Sequence, residues 1–167
     1  RFSREIDSFD GAAFVEADFK IGKLTITPGL RASTAVVHDV ALHAFDPRLW
    51  ARFKLFEGTE LKGSVGLYTQ PPQSFDMEPP PFGNPALTHE RAFQTSLVVA
   101  QKITDDINID VTGYFNRRFE NIVLPGKTTV DENGVVTQPR LSNDGAGRAY
   151  GLEVMLRHEV TKYFFGW

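Results

Sequence analysis

Cysteine is absent from the 167 residues, so a disulfide scaffold, a thiolate metal site and a cysteine nucleophile are excluded. Also missing is any run near the ~18 consecutive apolar residues that a transmembrane helix requires, and the mean hydropathy is −0.23. That absence excludes helical spans only, because a membrane β-barrel hides its lipid face in alternate residues. A positive surplus is lacking too: the formal net charge is −3 and the pI is near 5.8, which argues against a nucleic-acid partner. No segment carries a convincing helical stripe of apolar residues. With 41% hydrophobic and 23% charged residues, the chain is nevertheless too apolar to be disordered. It opens on Arg1-Phe2-Ser3 without a signal peptide and stops in mid-pattern on Phe164-Phe165-Gly166-Trp167, as a segment of a longer chain would.

What the chain does have is alternation with period 2. Ala13, Val15, Ala17, Phe19 and Ile21 alternate with Phe14, Glu16, Asp18 and Lys20. Leu24, Ile26, Pro28, Leu30 and Ala32 alternate with Thr25, Thr27, Gly29, Arg31 and Ser33. The same rhythm returns around Phe53, Val65, Leu97, Val111 and Val154. This predicts an all-β antiparallel meander of about seven strands of roughly 10 residues, the length of a tilted membrane-spanning strand. Short turns at Gly22-Lys23, Glu57-Gly58-Thr59 and Thr104-Asp105-Asp106 alternate with long excursions near 34–46, 71–90 and 120–147. The last holds an Asn133-Gly134 hairpin tip. Repeated loops of this length are unusual in a compact domain but usual on the external side of an outer-membrane barrel.

The expected hairpins pair 12–21 with 24–33, 48–56 with 60–70, and 92–102 with 107–119. Val15, Ile26, Phe53, Val65, Leu97 and Val111 should then share one face of one sheet. Aromatics collect near strand ends: Phe19, Phe53 and Phe56 toward the short turns, and Phe93, Phe115, Phe119 and Tyr150 toward the long loops. That distribution suits two interfacial girdles. The competing reading is a soluble antiparallel barrel or sandwich, apolar inside and polar outside, which periodicity alone does not separate from the first.

Several motifs occur in order: Pro28-Gly29-Leu30-Arg31, Asp46-Pro47-Arg48, Gly66-Leu67-Tyr68-Thr69-Gln70-Pro71-Pro72, Phe82-Gly83-Asn84-Pro85-Ala86-Leu87 and Gly147-Arg148-Ala149-Tyr150-Gly151-Leu152-Glu153. Together they resemble the middle-to-late β-barrel of TonB-dependent outer-membrane receptors over nearly the whole chain, residues 1–167. The resemblance implies part of a barrel of about 22 strands around a plug domain, with no plug in this segment. It implies uptake of a scarce solute of the siderophore-iron, cobalamin or oligosaccharide type across the outer membrane of a Gram-negative cell. The implied partners are outer-membrane lipid, the small solute, and the TonB complex acting through the plug. A structural or adhesive barrel without transport, or an outer-membrane barrel enzyme, would be the alternatives.

Sites for other chemistry are poorly supported. Gly145-Ala146-Gly147-Arg148-Ala149-Tyr150-Gly151 precedes a strand where a phosphate-binding loop needs a helix. Asp131-Glu132-Asn133-Gly134 lacks the later bidentate Glu of a calcium loop. His38, His43, His89 and His158 sit singly, and no catalytic set follows from their spacing; His89 with Glu90 and Ser74 is the one arrangement an enzyme could use. No cofactor, metal or catalytic residue is therefore expected. The charges on the polar faces carry more information. Arg48, Trp50, Tyr68, Gln70, Asn116, Arg118 and Glu153 are the candidates for lining a ligand path near the outer ends of the strands. Arg grips carboxylate or phosphate, and aromatics stack on flat ligands. Asp110 and Arg157 should form a charge pair near the short-turn end, directly across or one diagonal step apart on adjacent strands. Gly151 should make room on the lumen side.

Overall fold

The computed structural model describes residues 8–80, 83–126, 129–130, 136–137, 140–159 and 166–167. Its strands are β1 (Ser8–Glu16), β2 (Phe19–Ile21), β3 (Leu24–Val37), β4 (Val40–Phe56), β5 (Thr59–Gln70), β6 (Glu90–Lys102), β7 (Ile107–Val123), β8 (Thr129–Val130), β9 (Val136–Thr137) and β10 (Ser142–His158). An eight-stranded antiparallel sheet runs in the order β1-β3-β4-β5-β6-β7-β10, with β2 also on β3, while β8 and β9 form a separate pair. Among the described residues there is no helix.

β1 and β2 are two pieces of one strand. Both keep the same register against β3, from Ser8↔Val37 down to Ile21↔Leu24. The ladder breaks opposite Pro28, whose carbonyl still accepts from the Ala17 N–H at 3.2 Å but which has no N–H to return. The meander then proceeds through tight turns at Gly22 (φ 59°) and Gly58 (φ 77°), where a left-handed backbone favours glycine.

Register carries the six marker residues onto one face. The pairs Val15↔Leu30, Ile26↔Ala51, Phe53↔Leu61, Val65↔Leu49, Leu97↔Gly63 and Val111↔Val99 link them strand by strand. That face is not a core. Val15 is 66% exposed, Leu97 56% and Leu152 71%, and no second sheet covers it among the described residues. A sandwich would bury such residues at roughly 1.5–3 kcal/mol each; here the apolar surface is left for another apolar medium. Phe115 and Tyr150 are direct cross-strand partners on this face toward the long loops, and Phe53 stands at the opposite end.

The excursion expected at 34–46 is instead strand. β3 and β4 continue to a two-residue turn at His38-Asp39, both with positive φ (48° and 67°). Alternation disappears there because both faces are apolar, and the polar-side face is covered. Ala35, Val37 and Ala44 are buried, and Met77 and Leu87 pack on Val37 with Val40, Leu42, Ile122 and Leu141 around them. Residues 71–80 and 83–89 thus fold onto the polar-side face at the long-loop end. The excursion expected at 120–147 also narrows: β7 runs to Val123, β10 begins at Ser142, and β8 pairs with β9 between them. Asn133-Gly134 and the acidic run before it lie outside the described residues.

Candidate functional site on the polar face

All seven ligand-path candidates belong to the face opposite the exposed apolar one, and register sorts them by height. Arg48 pairs with Gly66, Gly66 with Gln94, and Gln94 with Asn116, so Arg48 and Asn116 end one row across four strands. At about 4.8 Å between strands, they stand roughly 14 Å apart. Tyr68 and Arg118 both pair with Ala92 in the next row outward, and Gln70 pairs with Glu90 beyond it. Tyr68, Gln70 and Arg118 line one cleft together with Glu90, Arg91 and Gln94. Trp50 lies one row below Arg48 and borders a larger cleft of about 390 Å³ with Glu16, Asp18, Arg52 and Lys62.

Glu153 does not join them. It pairs with Thr112, whereas Arg118 pairs with Gly147. Six residues of strand separate the two rows, roughly 20 Å, so Glu153 stands toward the short turns rather than at the outer end. Closer to those turns, Arg157 Nη2 lies 3.7 Å from Asp110 Oδ2. Register explains the geometry: Asp110 pairs with Met155 and Arg157 with Asn108, so the two charges are diagonal neighbours. Gly151 sits against Tyr114, where a Cβ would come 2.7 Å from the phenol oxygen.

A second group of charges lies farther outward on β3, β4 and β5. The Asp46 side chain is fully buried; its Oδ1 accepts from Thr69 Oγ1 at 2.9 Å, and its Oδ2 lies 3.9 Å from Arg31 Nη1. Neither Asp46 Oδ2 nor Arg48 Nε has a hydrogen-bond partner. The Arg48 guanidinium stacks on the Tyr68 ring at 4.6 Å from its centroid. Gly66 permits that stack, since a Cβ there would come 3.1 Å from Tyr68 and 3.2 Å from Arg48. An adjoining cleft of about 340 Å³ is bordered by Asp10, Arg31, Ser33, Thr69, Pro71 and His89.

Residues 71–80 and 83–89 pack outward of this region and are tied to both flanks, with Pro71 and His89 bordering the cleft beside Arg31. His38 Nε2 lies 3.1 Å from the Ser74 carbonyl and 3.6 Å from Glu78 Oε1. Asn84 Nδ2 donates to the Leu141 carbonyl at 2.8 Å. Asn143 accepts from the Thr88 N–H at 2.8 Å and donates to the Thr88 and Glu120 carbonyls. Burial pushes the His89 imidazole below the usual histidine range; Arg91 and His43 push it further, against Asp46 and Glu120. Ser74 thus meets His38 through its carbonyl, not His89 through its hydroxyl. Among the described residues, no three His, Asp or Glu side chains converge as a metal site.

Asp46 and His89 stand beside these residues but are not among the ligand-path candidates read from the sequence. Asp46 was legible by counting two residues back from Arg48, which keeps the face. His89 carried no signal, because its place depends on how a loop without a period folds.

Three comparisons bear on this arrangement. A family model described as TonB dependent receptor-like, beta-barrel matches residues 1–167. No protein of curated function matches the chain. Among solved structures, the siderophore receptor PirA of Acinetobacter baumannii superposes with a TM-score of 0.72 at 20% identity, over 90% of this chain and 26% of that one. PirA of Pseudomonas aeruginosa gives 0.74 at 20%, over 93% and 32%. A mutant of the ferric enterobactin receptor PfeA of Pseudomonas aeruginosa gives 0.78 at 17%, over 92% and 25%. The chain therefore spans about a quarter to a third of the length of these structures, and at such identities the likeness is one of fold.

Proposed function

Because the chain belongs to the TonB-dependent receptor-like β-barrel family, we propose that it is barrel wall of an outer-membrane receptor that imports a scarce solute, and that its polar face lines the outer end of the solute path. The exposed apolar face would meet lipid, and the polar face a water-filled lumen. The plug that couples such a barrel to the TonB complex would come from the rest of the protein. The superposed structures are receptors for siderophores and ferric enterobactin, which favours a ferric chelate over a cobalamin or an oligosaccharide.

The observation that carries the reading is the Arg48–Tyr68 stack beside Arg31 and the buried Asp46. A guanidinium held over an aromatic ring offers both a cation and an aromatic surface, as an anionic, aromatic-rich chelate requires. Arg118 and Gln70 extend the same surface across β5–β7. The test is binding of ferric siderophores to the full receptor, followed by fluorescence quenching. Arg48→Ala with Tyr68→Ala should weaken binding by at least tenfold while the barrel stays folded. Undiminished binding and uptake in that variant would overturn the assignment of this surface.

A further inference from the structure

Beyond the Phe115–Tyr150 pair, the exposed apolar face changes character. From Phe53 near the short turns up to that pair, its described strand positions hold no Asp, Glu, Lys or Arg. One step outward, Arg117 pairs directly with Arg148, and the neighbour of Arg117 on its other side is Phe93. Both arginines are exposed. Like charges directly opposed on adjacent strands repel, and neither arginine forms an ion pair among the described residues. Glu120, three positions along, is engaged by Arg91 at 3.2 Å.

We propose that Arg117 and Arg148 form a clamp for the phosphorylated headgroup of an outer-leaflet lipid. Three features point to that occupant. The pair faces the surrounding bilayer rather than the lumen, by register. It lies immediately outside an aromatic belt, which is headgroup level. Two adjacent guanidiniums without a carboxylate present paired donors that match phosphate oxygens, and an anion between them relieves their repulsion. The opposite rim of the same face, at Ile21, Phe53, Leu55, Gln101 and His158, holds no Lys or Arg among the described strand positions, so the clamp belongs to one leaflet only. Thr95 and Tyr150 flank it and leave an uncharged approach. The inference rests on the outer-membrane reading above, which fixes the long-loop rim as the external one.

The test uses the full receptor in an uncharged detergent, with diphosphorylated lipid A as probe and native mass spectrometry as readout. Each arginine removed should cost about fivefold in affinity, and Arg117→Gln with Arg148→Gln roughly 25-fold. Dephosphorylated lipid A should bind the unaltered receptor as weakly as the probe binds the double variant, and this arm needs no variant to fold. Arg52→Gln, on the polar face, should leave lipid binding unchanged. Equal affinity for both lipids, an undiminished double variant, or displacement of the probe by millimolar inorganic phosphate would each overturn the clamp. A receptor that fractionates outside the outer membrane would instead overturn the reading it rests on, whatever the lipid arm returns.

Discussion

Leu87 holds the roof over the polar face, and its truncation gives a quantitative test of that architecture. Its side chain is 2% exposed and packs with Val37 and Met77. Leu87→Ala removes three buried carbons, roughly 2–2.5 kcal/mol at ~0.8 kcal/mol per CH₂. The cavity left behind raises the cost into the 2–5 kcal/mol seen for such truncations. The loss falls on closure of 71–89, because the strands beneath keep their ladders. At 1.4 kcal/mol per tenfold, the opened population rises about 30-fold to several thousand-fold. Amide exchange of the full receptor in detergent reads this directly. Protection at Asp76, Glu78, Asn84 and Leu87, whose N–H groups are bonded within the loop, should collapse, while β5 and β6 stay protected. Unchanged protection of the loop would refute the claim that the Val37–Met77–Leu87 cluster closes it. Loss across β5 and β6 as well would refute its independence from the sheet.

Three further expectations concern other parts of the molecule. A double-mutant cycle on Asp110→Asn and Arg157→Gln should return a coupling of about 0.2–1 kcal/mol in urea unfolding from detergent, since both groups are partly exposed; zero coupling would mean the pair is only geometric. Gly151→Val should destabilise the barrel by roughly 1–3 kcal/mol through overpacking against Tyr114, with Tyr114→Ala restoring most of the loss; a neutral Gly151→Val would refute the close approach. Because burial lowers the His89 pKa in the closed loop, the open loop binds the proton more tightly. Closure is then fullest above pH ~6.5 and weakens as pH falls through the depressed value. Protease cleavage within 71–89 should rise between pH 7.5 and 5, and His89→Gln should flatten that profile; equal cleavage at both pH values would count against it.

How much of this was legible follows from where alternation survives. Between Phe53 and Phe115 every strand has one apolar and one polar face, and strand order, register and facing could be read off by counting. At 34–46 the count fails, because Val37, Val40 and Leu42 are covered by Met77 and Leu87 and the polar-side face turns apolar. A segment with two apolar faces has no period, and His38-Asp39 is an uncommon composition for a turn with two positive φ values. Arg48 and Tyr68 were legible as neighbours on one face, but their stack depends on Gly66, whose missing side chain registers in sequence only as a gap. The buried state of Asp46 was not legible, because its partner Thr69 lies more than twenty residues away on another strand.

The register irregularities all lie outside the uncharged band. One falls between Lys54 and Phe56 beside a short turn, and the others between Ser142 and Gly147, outward of Arg148. Inside the band every pair is in step, even across the gap opposite Pro28. Each strand there behaves as a two-state code in which a single inserted or deleted residue exchanges the faces of everything beyond it. One extra residue at Val98 would turn Thr95 and Leu97 toward the lumen and Gln94 and Ser96 toward lipid, or reverse the facing of the residues on the other side. Length change inside the band is therefore confined to even steps, whereas the segments beyond Gln70 and Val123 take any number. Epitope tags, reporter insertions and natural length variation should obey that parity.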